Sequence, residues 1–180
     1  ALCEVGFPDN LALLPPDAAA RAAWEAMRAA LAAVSSAPTF PELDALAAEY
    51  AAIYLTGAYG ASPAESVWLD QDRLACQQPM FDLREIYKAA GLAAADWRKR
   101  PDDHLVLQLQ YIGHELRRAA SANFSAGALA HMLDAHLLRW LPDFAARVAA
   151  RTAHPYYAAL ANLTAAWCLS LRDGLAAAQP

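Results

Sequence analysis

Thr39-Phe40-Pro41-Glu42-Leu43-Asp44-Ala45-Leu46-Ala47-Ala48-Glu49-Tyr50-Ala51-Ala52-Ile53-Tyr54 is the stretch whose reading decides the fold. Thr39 with Glu42 three residues later reads as a reciprocal N-terminal capping pair. Pro41 lies inside the first turn, where its missing N–H costs nothing. Leu43, Leu46, Tyr50, Ile53 and Tyr54 recur at three- and four-residue steps, so they share one helical face. Gly57 and Gly60 bound the end.

The same period extends outward on both sides. Residues up to Leu14 show none and read as irregular; Pro15-Pro16-Asp17 then starts a helix carrying Trp24, Met27, Leu31 and Val34, which Ser35-Ser36-Ala37-Pro38 ends. Helical pattern returns with Met80, Leu83, Ile86 and Tyr87, and Gly91-Leu92 reads as a Schellman stop. Leu105, Leu109, Ile112 and Leu116 mark a further helix. Another carries Leu129, Met132, Leu133, His136, Leu137 and Trp140 and is expected to break near Pro142. Phe144 and Val148 continue a short helix, and His154-Pro155 starts the last, with Tyr157, Leu160, Leu163, Trp167 and Leu171. Seven helical segments and no partnered strand give an all-α globule.

Residues 58–79 break this pattern. They hold two prolines and a glycine, and Ser66-Val67-Trp68-Leu69, the one strand-like run, has nothing to pair with. They read as a long ordered loop. Loops of about 20 residues in a compact domain tend to be functional, which makes this the first place to look for a site.

Composition narrows the class. Of 180 residues, 58% are apolar and 7 are glycine. Much of the apolar share is alanine, a strong helix former that fills little core. Trp24, Trp97, Trp140 and Trp167 must therefore supply much of the burial, with Leu, Met and Tyr. The formal net charge of −5 and the shortness of the densest basic cluster, Arg98-Lys99-Arg100, disfavour nucleic acid as a partner. Three scattered cysteines, Cys3, Cys76 and Cys168, do not make a disulfide scaffold and suit a reducing compartment. No stretch reaches membrane-spanning length without a charge, and Ala1-Leu2-Cys3-Glu4 lacks the features of a secretory leader. A cytoplasmic protein without stable membrane insertion is expected.

Searches for catalytic sets fail. His114-Glu115 is followed at the zinc-protease spacing by Arg118, His131 and His136 stand about 140° apart on a helix, and no cysteine pair has ligand spacing. There is no nucleophile elbow and no phosphate-cradling glycine loop. Asp102 and Asp103, before a helix, read most simply as caps, and His104 as a solvated first-turn residue. Asp70 and Asp72 lie in the long loop with Trp68, a tryptophan that must either dock or face a ligand. A binding protein rather than an enzyme follows, with no metal and no cofactor of its own. The alternatives are a helical ligand-sensing or regulatory domain, testable by gel shift, and a magnesium enzyme using Asp70, Asp72, Asp102 and Asp103.

Five stretches, in order, resemble the TorD/DmsD family of redox-enzyme maturation chaperones. They are Glu49-Tyr50-Ala51-Ala52-Ile53-Tyr54-Leu55-Thr56-Gly57, Glu65-Ser66-Val67-Trp68-Leu69-Asp70, Arg100-Pro101-Asp102-Asp103-His104-Leu105, Leu137-Leu138-Arg139-Trp140-Leu141-Pro142-Asp143-Phe144 and His154-Pro155-Tyr156-Tyr157-Ala158-Ala159-Leu160-Ala161-Asn162-Leu163-Thr164. The chain departs from the family at Arg100, where glutamate is usual, and at Ala64, where many members carry a tryptophan.

The resemblance implies a single TorD-like domain of two unequal lobes, about 1–98 and 105–180, joined by a hinge at 99–104. It implies a cytoplasmic chaperone as monomer or domain-swapped dimer. Its partners would be the apo-form of a molybdopterin-dependent oxidoreductase, of the dimethyl sulfoxide or trimethylamine N-oxide reductase class, and that enzyme's twin-arginine leader. Leader-binding positions carry over to Ile53, Tyr54, Trp68, Pro101, Asp103 and His104. In such a site Asp102, Asp103, Asp70 or Glu65 would receive the arginines, and Ile53, Tyr54 and Trp68 the apolar part.

Overall fold

The computed structural model describes residues 17–34, 37–95, 100–121 and 123–177. Among these the chain forms α1 (Ala18–Ala32), α2 (Phe40–Tyr54), α3 (Ser66–Leu69), α4 (Gln78–Ala89), α5 (Leu105–Arg117), α6 (Ala126–Ala135), a 3₁₀ turn at Leu137–Arg139, α7 (Leu141–Arg151) and α8 (Pro155–Ala177). The only extended pairing described is an isolated antiparallel bridge between Ala64 and His104. The all-α expectation holds. The expected readings at Cys3, Leu14, Pro15-Pro16, Ser35-Ser36, Trp97, Arg98 and Lys99 lie outside the described residues.

The chain divides into two compact units, both discontinuous. One takes residues 17–61 and 142–171; the other takes 62–141 and 172–177. Residues 100–104 lie within the second of these, and backbone hydrogen bonds hold them there. The Glu65 N–H donates to Asp103 O at 3.2 Å and the Leu105 N–H to Pro63 O at 2.8 Å. The connector is thereby packed into the second unit.

In the first unit, Asp17 caps α1 by accepting the Ala20 N–H at 2.8 Å, and its other oxygen accepts the Ser170 hydroxyl of α8. Met27, Ala30 and Leu31 of α1 pack on Ala159 and Leu163 of α8, with Trp24 and Leu160 against them. The capping pair read from sequence forms at α2: Glu42 Oε2 accepts both the N–H of Thr39, at 2.6 Å, and its hydroxyl, at 2.8 Å. Further along α2, Glu49 accepts from the Thr152 hydroxyl, the Ala153 N–H at 3.3 Å and the Tyr59 hydroxyl at 3.0 Å. Burial alone would raise the Glu49 carboxyl, but these hydrogen bonds hold it below its ordinary range. The Tyr157 hydroxyl donates to Leu46 O at 2.8 Å, fixing α8 to α2.

In the second unit, α4 ends in the expected Schellman geometry. Gly91 has φ +74°, its N–H reaches Lys88 O at 2.9 Å, and the Leu92 N–H reaches Tyr87 O at 2.8 Å. Leu83, Leu129, Met132, Leu133, Leu137 and Trp140 are fully buried. Two expectations are corrected here. Residues 58–79 are not loop throughout, because Ser66–Leu69 closes one helical turn. The helix expected to run to Pro142 stops at His136, whose φ of −123° and ψ of −87° leave the helical region.

Candidate functional site

In the second unit the two stretches singled out by the sequence, 62–70 and 100–108, are bound to each other through a buried polar cluster. Local backbone chemistry sets its frame. Four residues of helix cannot satisfy their own first N–H groups, so α3 needs an acceptor from elsewhere. Asp103 supplies it: Oδ2 accepts the Ser66 N–H at 2.7 Å and the Ser66 hydroxyl as well. The hydroxyl in turn accepts the Gln77 N–H at 3.1 Å, anchoring the segment that leads into α4. Asp103 is 0% exposed.

Glu65, also fully buried, sits beside it. Its Oε1 lies 2.9 Å from His136 Nδ1, and its Oε2 accepts from Gln108 Nε2 at 3.0 Å. Gln108 Nε2 donates a second time, to Asp103 O at 2.9 Å. Burial pushes the Glu65 carboxyl up, and the neighbouring Asp103 carboxylate pushes the same way, against the contacts from His136 and Gln108. Asp102, the adjacent carboxylate, is held by Arg84 at 2.6 Å, while its carbonyl accepts the Tyr87 hydroxyl at 3.0 Å.

These contacts revise the simplest reading of Asp102, Asp103 and His104. Neither aspartate caps α5. Its N-cap is His104, whose Nδ1 accepts the Val106 N–H at 3.2 Å. The aspartates are drawn away because α3 presents buried donors and Arg84 a partly buried one that a solvent-facing cap would leave unmatched. Asp70 is likewise spent locally, its Oδ2 accepting the Asp72 and Leu74 N–H groups at 3.0 and 3.1 Å.

The six expected leader-binding positions divide between the units. Ile53 and Tyr54 belong to the first: Ile53 is fully buried, and Tyr54 packs with ring centroids 6.3 Å from Phe144 and 6.5 Å from Tyr157. Burial and the surrounding tyrosines push the Tyr54 hydroxyl up to about 12. Trp68, Pro101, Asp103 and His104 belong to the second unit. There Trp68 stacks on Trp140 at 6.4 Å and donates its indole N–H to Ser62 O at 2.8 Å. Trp68, Pro101 and His104 are half-buried, each leaving part of its side chain to solvent. Sequence reasoning left Gln108 and His136 outside the site. Their partners lie 43 and 71 positions away, and no local pattern marks such a pairing.

In the first unit, α2 carries exposed apolar side chains. Of the 15 residues of α2 only Ile53 is fully buried, while Phe40 is 82%, Leu43 50% and Tyr50 47% exposed. Phe40, Leu43, Ala47 and Tyr50 follow helical spacing and form one stripe. From Ala29 to Asp72 the chain has no lysine, arginine or histidine but six carboxylates, at Glu42, Asp44, Glu49, Glu65, Asp70 and Asp72. Among the described residues no group of histidine, cysteine, aspartate or glutamate has the arrangement of a metal site, and no helix is long and apolar enough to cross a membrane.

A family described as nitrate reductase delta subunit matches residues 15–146. The chain is similar to "Chaperone protein TorD" of Vibrio cholerae, 31% identical over 129 residues, which cover 68% of this chain and 58% of that protein. It is similar to the protein of the same name from Shewanella oneidensis, 32% identical over 131 residues covering 68% and 57%, and from Photobacterium profundum, 29% identical over 131 residues covering 68% and 60%. The match thus spans less than two thirds of the length of these relatives. No solved structure matches.

Proposed function

We propose, since the chain belongs to the nitrate reductase delta subunit family, that it is a maturation chaperone which holds the twin-arginine leader and apo-form of a molybdopterin-dependent oxidoreductase. The client is of the dimethyl sulfoxide or trimethylamine N-oxide reductase class, held in the cytoplasm until its cofactor is inserted. The relatives' name, chaperone, supports the role, and the five motif stretches support the client class.

One observation carries the reading. A helix apolar on nearly every side is normally buried, yet α2 turns Phe40, Leu43 and Tyr50 to solvent, and its exposed charges, Glu42 and Asp44, are both negative. A twin-arginine leader offers the complement, two guanidinium groups followed by an apolar segment. Trp68, Pro101 and His104, partly open on the second unit, are the further contacts of this proposal, and Tyr54 is the one on the first. Asp103 and Ile53 act beneath the surface, Asp103 by shaping the segment that presents Trp68 and His104.

Titration calorimetry of the full chain with a twin-arginine leader peptide tests the reading. Binding is expected with a negative heat-capacity change from apolar burial. Leu43→Ser is expected to weaken it about tenfold, the loss of one well-buried apolar contact. A leader that gives no heat at any temperature, with no change in tryptophan fluorescence, contradicts it.

A further inference from the structure

The donors of the cluster around Glu65 do not cover its acceptors. Its side-chain acceptors are both oxygens of Glu65, both of Asp103 and Oε1 of Gln108. Its donors are the Ser66 N–H and O–H, the two Gln108 N–H groups and whatever proton lies at His136 Nδ1. Both Ser66 donors go to one oxygen of Asp103, and one Gln108 donor goes to the Asp103 carbonyl. Asp103 Oδ1 and Gln108 Oε1 are buried and meet no donor among the described residues. Two carboxylates with 0% exposure and two unmatched oxygens beside one imidazole concentrate buried negative charge that one bound proton relieves.

We propose that Glu65, Asp103, Gln108 and His136 form a proton-holding latch that fastens the 101–104 connector to the 63–66 turn, and that losing the proton loosens the connector. The latch spans four separate pieces of the second unit: the turn before α3, the connector, α5 and the break after α6. Asp102 is neutralised by Arg84 from α4, Tyr87 from α4 donates to the Asp102 carbonyl, and the His136 ring faces Glu65. With the proton on Glu65, the two buried carboxyls carry one net negative charge. Without it, Glu65 and Asp103 repel each other across a dry site. Burial raises the Glu65 carboxyl, in agreement with a folded state that binds this proton more tightly than the unfolded chain.

The consequence for a ligand rests on the leader-binding reading: Pro101 and His104 ride on the connector, so a loosened latch changes how they meet a peptide. The latch itself is tested without any peptide. Amide exchange of the free full-length chain is followed from about pH 8 to about pH 5, with rates corrected for the intrinsic pH dependence of exchange. The reporters are the N–H groups of Glu65, Ser66 and Leu105, which donate to Asp103 O, Asp103 Oδ2 and Pro63 O. Their protection is expected to rise as pH falls, by up to tenfold per pH unit, the limit for one coupled proton.

Glu65→Gln, which carries a permanent donor, is expected to flatten this slope at high protection. His136→Gln removes a contact that opposes the rise of the Glu65 carboxyl and is expected to move the titration midpoint to higher pH. A flat slope in the unaltered chain overturns the latch, as does an unchanged slope in Glu65→Gln or an unmoved midpoint in His136→Gln. None of these results bears on whether a leader binds, and absence of leader binding leaves the exchange slope standing.

Discussion

Glu65 Oε1 and His136 Nδ1 meet at 2.9 Å inside the second unit although 71 positions separate them in the chain. That contact links the turn preceding α3 to the point where α6 stops. Beside it, Asp103 accepts both Ser66 donors and so joins the segment bearing Trp68 to the connector bearing His104. The physical weight of such a pair lies less in its own attraction than in what its loss exposes, a fully buried carboxylate with one partner gone.

Asp103 is a structural residue by its contacts, and Asp103→Ala is therefore expected to destabilise the protein by about 3 kcal/mol. The loss comprises two hydrogen bonds to a carboxylate and a buried Ser66 N–H left without an acceptor. Urea unfolding measures it. Trp68→Ala, at a half-buried position, is expected to cost less than Asp103→Ala in the same experiment.

Glu49 makes the first unit acid-sensitive. Its folded carboxyl lies below the ordinary value of 4.5, so its contribution is complete above that pH and is lost as pH falls through the lowered value. Glu49→Gln keeps part of the hydrogen bonding and removes the titration. The expected outcome is lower stability at pH 7 with a shallower fall below pH 4.5, read by circular dichroism across pH. The buried Glu65 acts with the opposite sign, its raised carboxyl favouring the folded state as pH is lowered toward 4.5.

Gly91 isolates a backbone effect. At φ +74° a Cβ would meet nothing within 4 Å, so Gly91→Ala introduces no clash with the rest of the protein. The expected cost is the left-handed conformation alone, about 1 kcal/mol. A denaturant midpoint unchanged by the substitution would contradict that assignment.

The two described cysteines should differ sharply toward alkylation. Cys76 is exposed, whereas Cys168 is buried and its thiol is pushed by burial up to about 12. Peptide mapping after brief iodoacetamide treatment of the folded protein should find Cys76 modified and Cys168 intact.

What was legible in the sequence was whatever is encoded locally. The Thr39–Glu42 pair, the stop at Gly91-Leu92 and the start at His154-Pro155 depend on neighbours within a few residues, and each forms where the pattern placed it. The α3 turn was not legible, because four residues carry no helical period and its capping acceptor, Asp103, lies 37 positions away. The break at His136 was hidden for the same kind of reason: the apolar period continues through Leu137 and Trp140, and only the distant Glu65 accounts for where that imidazole points. Asp102 and Asp103 looked like caps because capping is what aspartate does before a helix in the absence of other donors. Here Arg84 and Ser66 provide those donors.

The central claim, a chaperone that receives a leader on an exposed apolar and acidic surface, is tested most directly by a paired calorimetric titration. One peptide carries the twin arginines and the apolar segment; the other has both arginines replaced by glutamine. The account predicts that the first binds, that the second binds at least tenfold more weakly, and that Leu43→Ser in the protein weakens the first without altering its thermal unfolding by more than a surface change would. Equal affinities for the two peptides, or no binding of either, would contradict it.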